Sequence, residues 1–422
     1  MANVRRKKRS SNIGSHRTRW HGRSAERLSN GVLELIVLQG GGHIAFLGFA
    51  PESGRTPLNV LWESPWRAAD PASKAAVRLG KQYGANGVGQ FLASFTGHAL
   101  CLDYFGPALA EKNKQDMPLH GEAASKRWTS KKQANTTKAP AAEWKVKLPV
   151  AGLSFQRKIT VPMNQSVAIF QETVRNLRHR THNFHWVQHV TFGGSFLSKT
   201  DSRVFLSGQR AISWPHGYEG RSLISSGKEF TWPRAPRHPS GKANLSTPFS
   251  ESGKGFLASV LLNKKRKTQY VAALNWRLGV VAGYIFSGRD FPWVAVWEEN
   301  RARRYAPWNG RVQARGMEFG TTPMPIGKAA MSAAGKLFGT PCSTKISARG
   351  TRTTTYGAFL ATVPTTWQSI RDIEVRGESV VIHGAGKNQM VRVAAAGMSG
   401  IGRLHAKHRL QKRRGATKHH EK

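Results

Sequence analysis

The stretch VLELIVLQGGGHIAFL, residues 32–47, predicts the character of the whole chain. A run rich in Val, Leu and Ile is followed by three glycines and then by a second apolar run. Two such runs around a glycine cluster are typical of a β-hairpin, because glycine adopts the backbone conformations that tight turns require. The sequence therefore predicts a pair of antiparallel strands at this point.

The same kind of short apolar run recurs along the chain, and Gly, Pro, Asn or Ser separates nearly all of the runs. No stretch keeps the apolar spacing of a normal helix, and only residues 71–79 and 326–334 suggest short helices. Many short strands with turn signals between them favour a large sandwich or barrel. We therefore expect an all-β fold with less than ~15% helix, against the usual ~30–35%. The further predicted strands cover residues 154–161, 166–174, 185–192, 256–262, 269–273, 279–286, 293–297, 352–363 and 378–383.

Length and composition place the chain among folded proteins. It has 422 residues, of which 39% are hydrophobic, with 13 Trp and 19 Phe, so a sizeable core can form. The sequence has no run of ~18 apolar residues, so no membrane span is expected. The N-terminal basic residues are not followed by the apolar segment of a secretory signal. Cys101 and Cys342 are too few for a disulfide framework. A cytoplasmic location is expected.

The formal net charge of +42 is unusual, and much of it lies at the two ends. Residues 1–23 contain eight Lys and Arg and no acid, and residues 401–422 contain eight against Glu421. Such blocks are typical of disordered arms that contact polyanions without reading sequence. We therefore expect a basic disordered arm over 1–27, a single domain over 28–400 and a basic tail over 401–422. No known nucleic-acid recognition motif accompanies the charge.

Glu318 stands out because acidic residues are few and this one lies in the segment RGMEFGTTP, residues 315–323. A carboxylate flanked by Met and Phe on a strand would be partly desolvated, which raises its pKa toward that of a useful general base. The competing interpretation is that Glu318 pairs with Arg315 or another arginine.

Two histidines are further candidates. In the predicted strand FHWVQHVTFG, residues 184–193, alternation places His185, Val187 and His189 on one face. His189 could move protons, bind a metal or make an ordinary hydrogen bond, although no third ligand at zinc spacing supports the metal. His120 precedes Gly121, which would allow a ligand or another backbone to approach closely.

Taken together, five segments resemble the aldose 1-epimerase, or galactose mutarotase-like, superfamily, and most closely a bacterial branch of it. They are HALCLDYFGP (98–107), MPLHGEAASKRW (117–128), FHWVQHVTFG (184–193), WVAVWEEN (293–300) and PWNGRVQARGMEFGTTPMP (307–325). The resemblance covers roughly residues 28–330. It implies a large antiparallel β-supersandwich that binds a monosaccharide or a sugar derivative.

The resemblance also implies roles for individual residues. Glu318 resembles the general base that takes the proton from the anomeric hydroxyl, and His189 resembles the general acid that protonates the ring oxygen. His120 resembles a substrate-binding histidine. Trp308 suits the apolar face of a sugar ring, and the neighbouring Asn309, together with Arg315, completes the expected substrate-binding set.

The implied reaction opens a cyclic hemiacetal and closes it on the other face, so it needs one base, one acid and no cofactor. A metal is likewise not expected. With the two groups on either side of a pyranose, we expect roughly 5–8 Å between the functional atoms of Glu318 and His189, from ~2.6–3.2 Å per hydrogen bond.

The sequence leaves three alternatives to an isomerase of this type. The first is a carbohydrate-binding module without catalysis on the same scaffold. The second is a sugar-phosphate mutarotase, which the positive charge would suit. The third is a basic polyanion-binding protein in which the sugar fold is incidental, because a fold does not by itself establish a function.

Overall fold

The computed structural model describes residues 13–85, 87–108, 117–132 and 139–401. The structure is 48% strand and 8% helix, which confirms the all-β prediction and its upper limit on helix. The hairpin predicted from residues 32–47 is present as two paired antiparallel strands. The predicted strands further along the chain, and both predicted short helices, are also present with small shifts of their ends.

The elements follow one another in a simple order. Up to residue 132 they are β1 (Gly14–Trp20), β2 (Arg23–Ser29), β3 (Leu33–Leu38), β4 (Ile44–Phe49), a 3-10 turn (Pro51–Ser53), α1 (Lys74–Tyr83), α2 (Val88–Leu92), β5 (His98–Asp103), a 3-10 turn (Ala123–Ser125) and β6 (Thr129–Lys132). From residue 139 to 300 they are β7 (Ala141–Leu148), β8 (Leu153–Thr160), β9 (Val167–Asn176), β10 (His182–Gly193), β11 (Ser202–Leu206), β12 (Gly208–Ser213), β13 (Glu229–Thr231), β14 (Arg234–Pro236), β15 (Lys242–Asn244), β16 (Lys254–Leu262), β17 (Thr268–Asn275), β18 (Val280–Ser287) and β19 (Trp293–Asn300). The remainder consists of β20 (Gln313–Gly320), α3 (Lys328–Ala334), β21 (Lys336–Leu337), β22 (Thr340–Pro341), β23 (Thr344–Ile346), β24 (Thr351–Thr362), β25 (Ile370–Arg376), β26 (Ser379–Gly384), β27 (Met390–Ala394) and a 3-10 turn (Met398–Gly400).

Two large antiparallel sheets form the body of the described chain. The first has the order β1-β2-β3-β4-β5-β10-β20-β19-β16-β12-β13-β14-β15, with β23 also paired to β10. The second has the order β11-β17-β18-β24-β9-β8-β7-β6. A small sheet of β25, β26 and β27 packs on the second sheet through a hydrophobic cluster that contains Tyr270, Phe359, Trp367 and Ile373.

The main core contains the inner side chains of both large sheets. Trp186 and Phe319 of the first sheet belong to the same buried cluster as Phe155 and Phe286 of the second. Phe286 stacks on Phe319 with ring centroids 4.1 Å apart, and Phe155 meets Trp186 edge to face. Aromatic contacts of this kind add to the burial of apolar surface, so the two sheets are firmly joined behind β10 and β20.

A polar network is buried inside this core. Arg157 donates to Glu172 at 2.7 Å, and both side chains are fully buried. Glu172 also accepts hydrogen bonds from Tyr356 at 2.8 Å, from Gln188 at 2.6 Å and from Trp186 at 3.3 Å. These partners stabilise the two charges inside a core that water does not reach.

The N-terminal prediction is wrong over residues 14–27, which were expected to belong to a disordered arm. They form most of the hairpin of β1 and β2 at the edge of the first sheet. The turn consists of His21 and Gly22, both with positive φ, as the tightest hairpins require. Trp20 packs on Phe46 at 5.6 Å, and Ser15 donates to Glu26 at 2.6 Å. These contacts hold the hairpin on the sheet although its sequence is rich in basic residues.

The remainder of the two predicted arms, residues 1–12 and 402–422, lies outside the described residues. The short strand β6 (Thr129–Lys132) lies in a basic, Thr-rich stretch of the sequence. This strand pairs with β7 at the edge of the second sheet, where polar and basic side chains are common. No helix among the described residues is long and apolar enough to cross a membrane.

We predict that Arg157→Met will lower the free energy of unfolding by about 3–5 kcal/mol, because it leaves the Glu172 carboxylate buried without its charge partner. Arg175→Met, which removes an exposed arginine from the same sheet, is the matched control and should change stability by less than about 0.5 kcal/mol. Urea unfolding followed by tryptophan fluorescence measures both. Equal stability of the two variants would contradict the role given to the buried network.

Candidate active site

His189 and Glu318 are brought together by the pairing of β10 with β20. The register pairs Gln188 with Phe319 and Thr191 with Gly316, so His189 lies directly opposite Glu318. Both side chains are on the face that points away from the main core, while their neighbours Gln188 and Phe319 point into it. Strand alternation therefore places an imidazole and a carboxyl group side by side on one surface.

The distance between His189 Nε2 and Glu318 Oε1 is 3.4 Å. The expected gap of roughly 5–8 Å is therefore wrong. That expectation assumed two groups on either side of a sugar ring, whereas directly opposed residues on neighbouring strands have their Cβ atoms only ~4.5–5.5 Å apart. The two groups lie next to each other and would approach a ligand from the same side.

Burial shifts the protonation of both groups toward their uncharged forms. It raises the pKa of the Glu318 carboxyl well above its usual value of 4.5 and lowers the pKa of His189 to about 4. Both effects arise because a charged form is costly where water is excluded. Burial therefore favours the protonated carboxyl group on Glu318 and the neutral imidazole on His189.

Gly316 provides the space that the Glu318 side chain occupies. The two residues are two positions apart on β20 and share one face. A Cβ atom at Gly316 would lie 2.3 Å from Glu318 Oε1, which is far inside van der Waals contact. Any larger residue at position 316 would therefore move the carboxyl group away from His189.

The second ring nitrogen of His189 also has a hydrogen-bond partner. Its Nδ1 lies 3.1 Å from the hydroxyl of Thr191, the next residue on the same face of β10. The Phe95 ring packs edge to face on the imidazole with centroids 5.1 Å apart. These contacts fix the orientation of the ring so that Nε2 is directed toward Glu318.

His120 lies beside His189, with ring centroids 5.3 Å apart, and its pKa is lowered well below 6.5 by burial. The backbone N–H of Gly106 donates to His120 Nδ1 at 3.1 Å, so the neutral ring carries its proton on Nε2 and can donate from there. The backbone of His120 has a positive φ of 67°, and Gly121 follows with φ 90°. A Cβ at Gly121 would lie 2.1 Å from the carbonyl oxygen of Leu102, so this turn requires glycine.

The three residues line a single cavity of about 320 Å³. This is near the lower limit of the ~300–1,000 Å³ that is usual for small-molecule sites. Its walls come mainly from the segment around α2, the His120 turn, the residues after β12 and the residues after β19 and β20. The other lining residues are Phe91, Leu92, Phe95, Gly106, Pro107, Leu119, Trp214, His216, Tyr218, Leu257, Trp297, Arg303, Trp308, Pro325 and Ile326.

Trp308, which the sequence analysis assigned to the apolar face of a sugar ring, lies in the wall of this cavity. It packs edge to face against Trp66 at 5.0 Å and against Trp297 at 6.1 Å. Phe91 and Phe95 stack on each other at 4.7 Å in another part of the wall. The cavity is thus largely aromatic, with a few polar groups close to one another in the wall, which is the usual composition of a ligand site.

Arg303 is a cavity residue that the sequence analysis missed. Its guanidinium lies 4.7 Å from the Trp308 ring centroid and 4.8 Å from that of Tyr218. Its Nε is 3.4 Å from Glu219 and 3.8 Å from Glu299, so its charge is balanced locally. In sequence it belongs to a run of arginines at 301–304, which looks like surface charge, although it directly follows the WVAVWEEN segment.

Two predicted substrate-binding residues lie outside the cavity. Arg315 is on the opposite face of β20, where it is fully buried and donates to Glu298 and to the carbonyl oxygen of Leu245. Arg315 therefore does not pair with Glu318, which removes the main structural alternative for that carboxyl group. Asn309 is exposed and follows Trp308 without reaching the cavity.

No group of three His, Cys, Asp or Glu side chains in the described part of the chain is arranged to hold a metal ion. What the cavity residues can do chemically is exchange protons and donate hydrogen bonds. His189 and Glu318 provide the proton exchange, and the Nε2–H of His120 provides a fixed donor beside them.

Comparison of the structure with solved structures finds similar proteins, whereas comparison of the sequence with family models and curated proteins finds none. No protein-family model and no curated protein matches this chain. The structure of a candidate aldose 1-epimerase from Klebsiella pneumoniae superimposes with a TM-score of 0.58 at 13% identity, covering 82% of this chain and 80% of that one. A galactose mutarotase-like protein from Clostridium acetobutylicum gives a TM-score of 0.55 at 12% identity, covering 84% and 100%.

A candidate mutarotase from Salmonella typhimurium gives a TM-score of 0.52 at 12% identity, with 83% of this chain and 94% of that chain covered. These likenesses establish that the chain has the galactose mutarotase-like β-supersandwich fold, as its sequence resemblance implied. At such low identity they show the fold alone.

We predict that Glu318→Gln will stabilise the protein increasingly as the pH rises. Above the usual carboxyl pKa of 4.5 the unfolded chain releases this proton, while the folded chain keeps it because its pKa is raised. The wild type therefore loses up to about 1.4 kcal/mol per pH unit relative to the amide variant until the raised pKa is reached.

Urea unfolding of both proteins at several pH values between 4 and 9 measures the difference. Glu378→Gln, at an exposed position, is the control and should differ from the wild type by less than about 0.5 kcal/mol at every pH. A constant difference between Glu318→Gln and the wild type would mean that Glu318 is ionised in the folded protein.

Proposed function

We propose that this protein is an aldose 1-epimerase that interconverts the anomers of an unphosphorylated monosaccharide in the aromatic cavity. The observation that carries the proposal is the 3.4 Å contact between His189 and Glu318, a buried pair in which one group can donate a proton and the other can accept one. The fold is consistent with it, since the candidate aldose 1-epimerase from Klebsiella pneumoniae and the candidate mutarotase from Salmonella typhimurium have the same architecture.

The reaction needs two coupled proton transfers. During ring opening, one group takes the proton from the anomeric hydroxyl O1 while the other gives a proton to the ring oxygen O5, and the C1–O5 bond breaks to leave an open-chain aldehyde. Rotation about the C1–C2 bond exposes the other face of the carbonyl. Ring closure then reverses both transfers, so the pair ends with the proton count with which it began.

Neighbouring groups suit this chemistry because O1 and O5 are bonded to the same carbon. An acid and a base 3.4 Å apart can each reach one of these two oxygens from the same side of the sugar. Each such transfer typically contributes ~10²–10⁴-fold to the rate.

The proton can begin on either member of the pair. With the proton on Glu318, the carboxyl group is the acid and His189 is the base. The family resemblance assigns the opposite roles, in which Glu318 takes the O1 proton and imidazolium protonates O5. That arrangement requires the proton to move first from Glu318 to His189 across their contact. The hydroxyl groups of a bound sugar would favour this transfer, because hydrogen bonds to the charged forms stabilise them.

The remaining cavity residues would position the ring. The Trp308 and Trp297 rings offer flat apolar surfaces for the C–H faces of a pyranose, and the Nε2–H of His120 can donate to a hydroxyl near the anomeric carbon. A volume of about 320 Å³ suits a monosaccharide better than a longer chain.

The charges in this cavity favour a neutral substrate over a sugar phosphate. Arg303 is the lining residue with a permanent positive charge, and Glu219 and Glu299 lie within 4 Å of its guanidinium. His120 and His189 are neutral because burial lowers the pKa of each. A phosphate group would therefore meet no unbalanced cation among these lining residues.

A kinetic prediction distinguishes an epimerase from a protein that binds the sugar but does not convert it. Glu318→Gln and His189→Asn should each lower kcat by about 10²-fold or more with little change in sugar affinity, because both amides keep the shape but cannot exchange a proton. His120→Ala should mainly raise KM. Exchange spectroscopy by NMR on a panel of free and phosphorylated hexoses measures the rates.

His16→Asn, at an exposed position, is the matched control and should match the wild type. Binding of a sugar by the wild type without anomer exchange would reject the epimerase and leave a binding module. Faster exchange of a phosphorylated hexose than of any free one would reject the neutral substrate.

We also predict a bell-shaped pH dependence of kcat/KM, which reports the protonation of the protein before substrate binds, because the reaction requires one proton in the pair. The acidic limb should lie near pH 4, where His189 becomes protonated as well. The alkaline limb should lie well above pH 4.5, where Glu318 loses its proton. His120→Ala should keep both limbs, and a rate that declines from pH 4.5 upward would contradict the raised pKa of Glu318.

A further inference from the structure

A second cavity, of about 640 Å³, lies where several turns and short strands meet. It is formed by the β16–β17 turn, the β18–β19 turn, β22, the residues beside β23 and the beginning of β24. It shares no lining residue with the aromatic cavity described above. We call it the basic cleft.

The lining of the basic cleft is dominated by positive charge. Six of its residues are cationic and one, Asp290, is acidic. The cations come from three separate segments, which surround the space instead of forming one stripe. They are Lys264, Lys265, Arg266, Lys267, Arg289 and Arg352.

Two of these cations already have partners. Arg266 is 2.8 Å from Asp372 and donates to the carbonyl oxygen of Ile373, and Arg352 is 3.7 Å from Asp290. The other four, three lysines of the β16–β17 turn and Arg289, form no salt bridge within the described residues. The cleft therefore holds about four cations whose charge no acidic side chain of the described part balances.

One lining residue of the cleft also has a buried hydroxyl group without a partner. Thr340 is 4% exposed, and its Oγ1 makes no hydrogen bond to any described residue. A buried polar group without a partner is costly unless a ligand or water satisfies it. Ser287, Ser343 and Thr344 bring further hydroxyl groups to the same lining. Hydroxyl-bearing residues and unbalanced cations thus belong to one lining.

We propose that the basic cleft binds a compact, multiply charged phosphate ligand, either an inorganic oligophosphate or the phosphate chain of a nucleotide. Phosphate oxygens accept hydrogen bonds from several directions at once. Their hydrogen bonds with lysine and arginine are strong because both partners are charged. Cations on three segments around a cavity suit a compact anion, whereas a nucleic-acid backbone is followed by an extended stripe of cations.

This inference is independent of the proposed sugar chemistry. No residue of the basic cleft belongs to the cavity of His189 and Glu318, so loss of phosphate binding should leave anomer exchange unchanged. The reverse also holds, and Glu318→Gln should bind phosphate as the wild type does.

The test is isothermal titration calorimetry of the full chain with tripolyphosphate and with ATP at about 150 mM salt, where long-range attraction is screened. The triple variant K264E/K265E/K267E should bind both probes roughly tenfold or more weakly, since each tenfold loss is about 1.4 kcal/mol. Equal losses for the two probes would identify the phosphate chain as the ligand, and a loss confined to ATP would identify a nucleotide.

The matched control is K74E/R78E/K147E, which removes the same charge from exposed positions elsewhere. It should bind like the wild type. Equal weakening by both triple variants would overturn the proposal in favour of general attraction to a basic protein. So would tight binding of single-stranded RNA with no measurable binding of tripolyphosphate. Melting temperatures of all variants verify that they are folded.

Discussion

The alternation of side chains along β10, combined with its register against β20, is the constraint on which the rest of the structure depends. Gln188 and Phe319 point into the core, so His189 and Glu318 must point out of it into the aromatic cavity. A slip of one residue would exchange the two faces, placing the imidazole in the core and the amide in the cavity. The core therefore determines the site, because it fixes the register that makes the two groups neighbours.

The buried network behind β10 strengthens this coupling. Gln188 reaches Glu172, which is itself held by Arg157 and Tyr356 across the sandwich. Such a network is stable only when its members are satisfied together, so it disfavours small displacements of the strand. On the other face the carboxyl group of Glu318 has no comparable set of partners in the described part of the chain, and burial raises its pKa. One strand pair thus combines a satisfied polar network in the core with a buried carboxyl group whose charged form is disfavoured, a division expected where function costs stability.

Much of the fold was predictable from sequence, because strands and their faces are local properties. The runs at 32–47, 185–192 and 293–297 gave correct strands, and His120, His189, Glu318 and Trp308 do share one cavity. The 3.4 Å contact was not predictable, because it depends on the register of strands more than 120 residues apart in sequence. Arg315 was expected to bind substrate but lies outside the cavity, and Arg303 was not expected there but lines it. The reason is related. Both are arginines near the motif, and only the tertiary structure shows that one faces Glu298 in the core and the other faces the cavity.

The aromatic cavity and the basic cleft differ in how their positive charges are balanced. In the aromatic cavity Arg303 is balanced by Glu219 and Glu299, and its histidines are neutral, so the local field is small. This balance suits the uncharged sugar that we propose as the substrate, and it leaves no unpaired cation to lower the pKa of the Glu318 carboxyl group. In the basic cleft the lysines of the β16–β17 turn have no acidic partners among the described residues, and an anion there would gain their full attraction. A cation placed beside Glu318 would lower the pKa of its carboxyl and remove the proton that the acid needs. Keeping the unbalanced charge outside the aromatic cavity is therefore a condition for acid–base chemistry inside it.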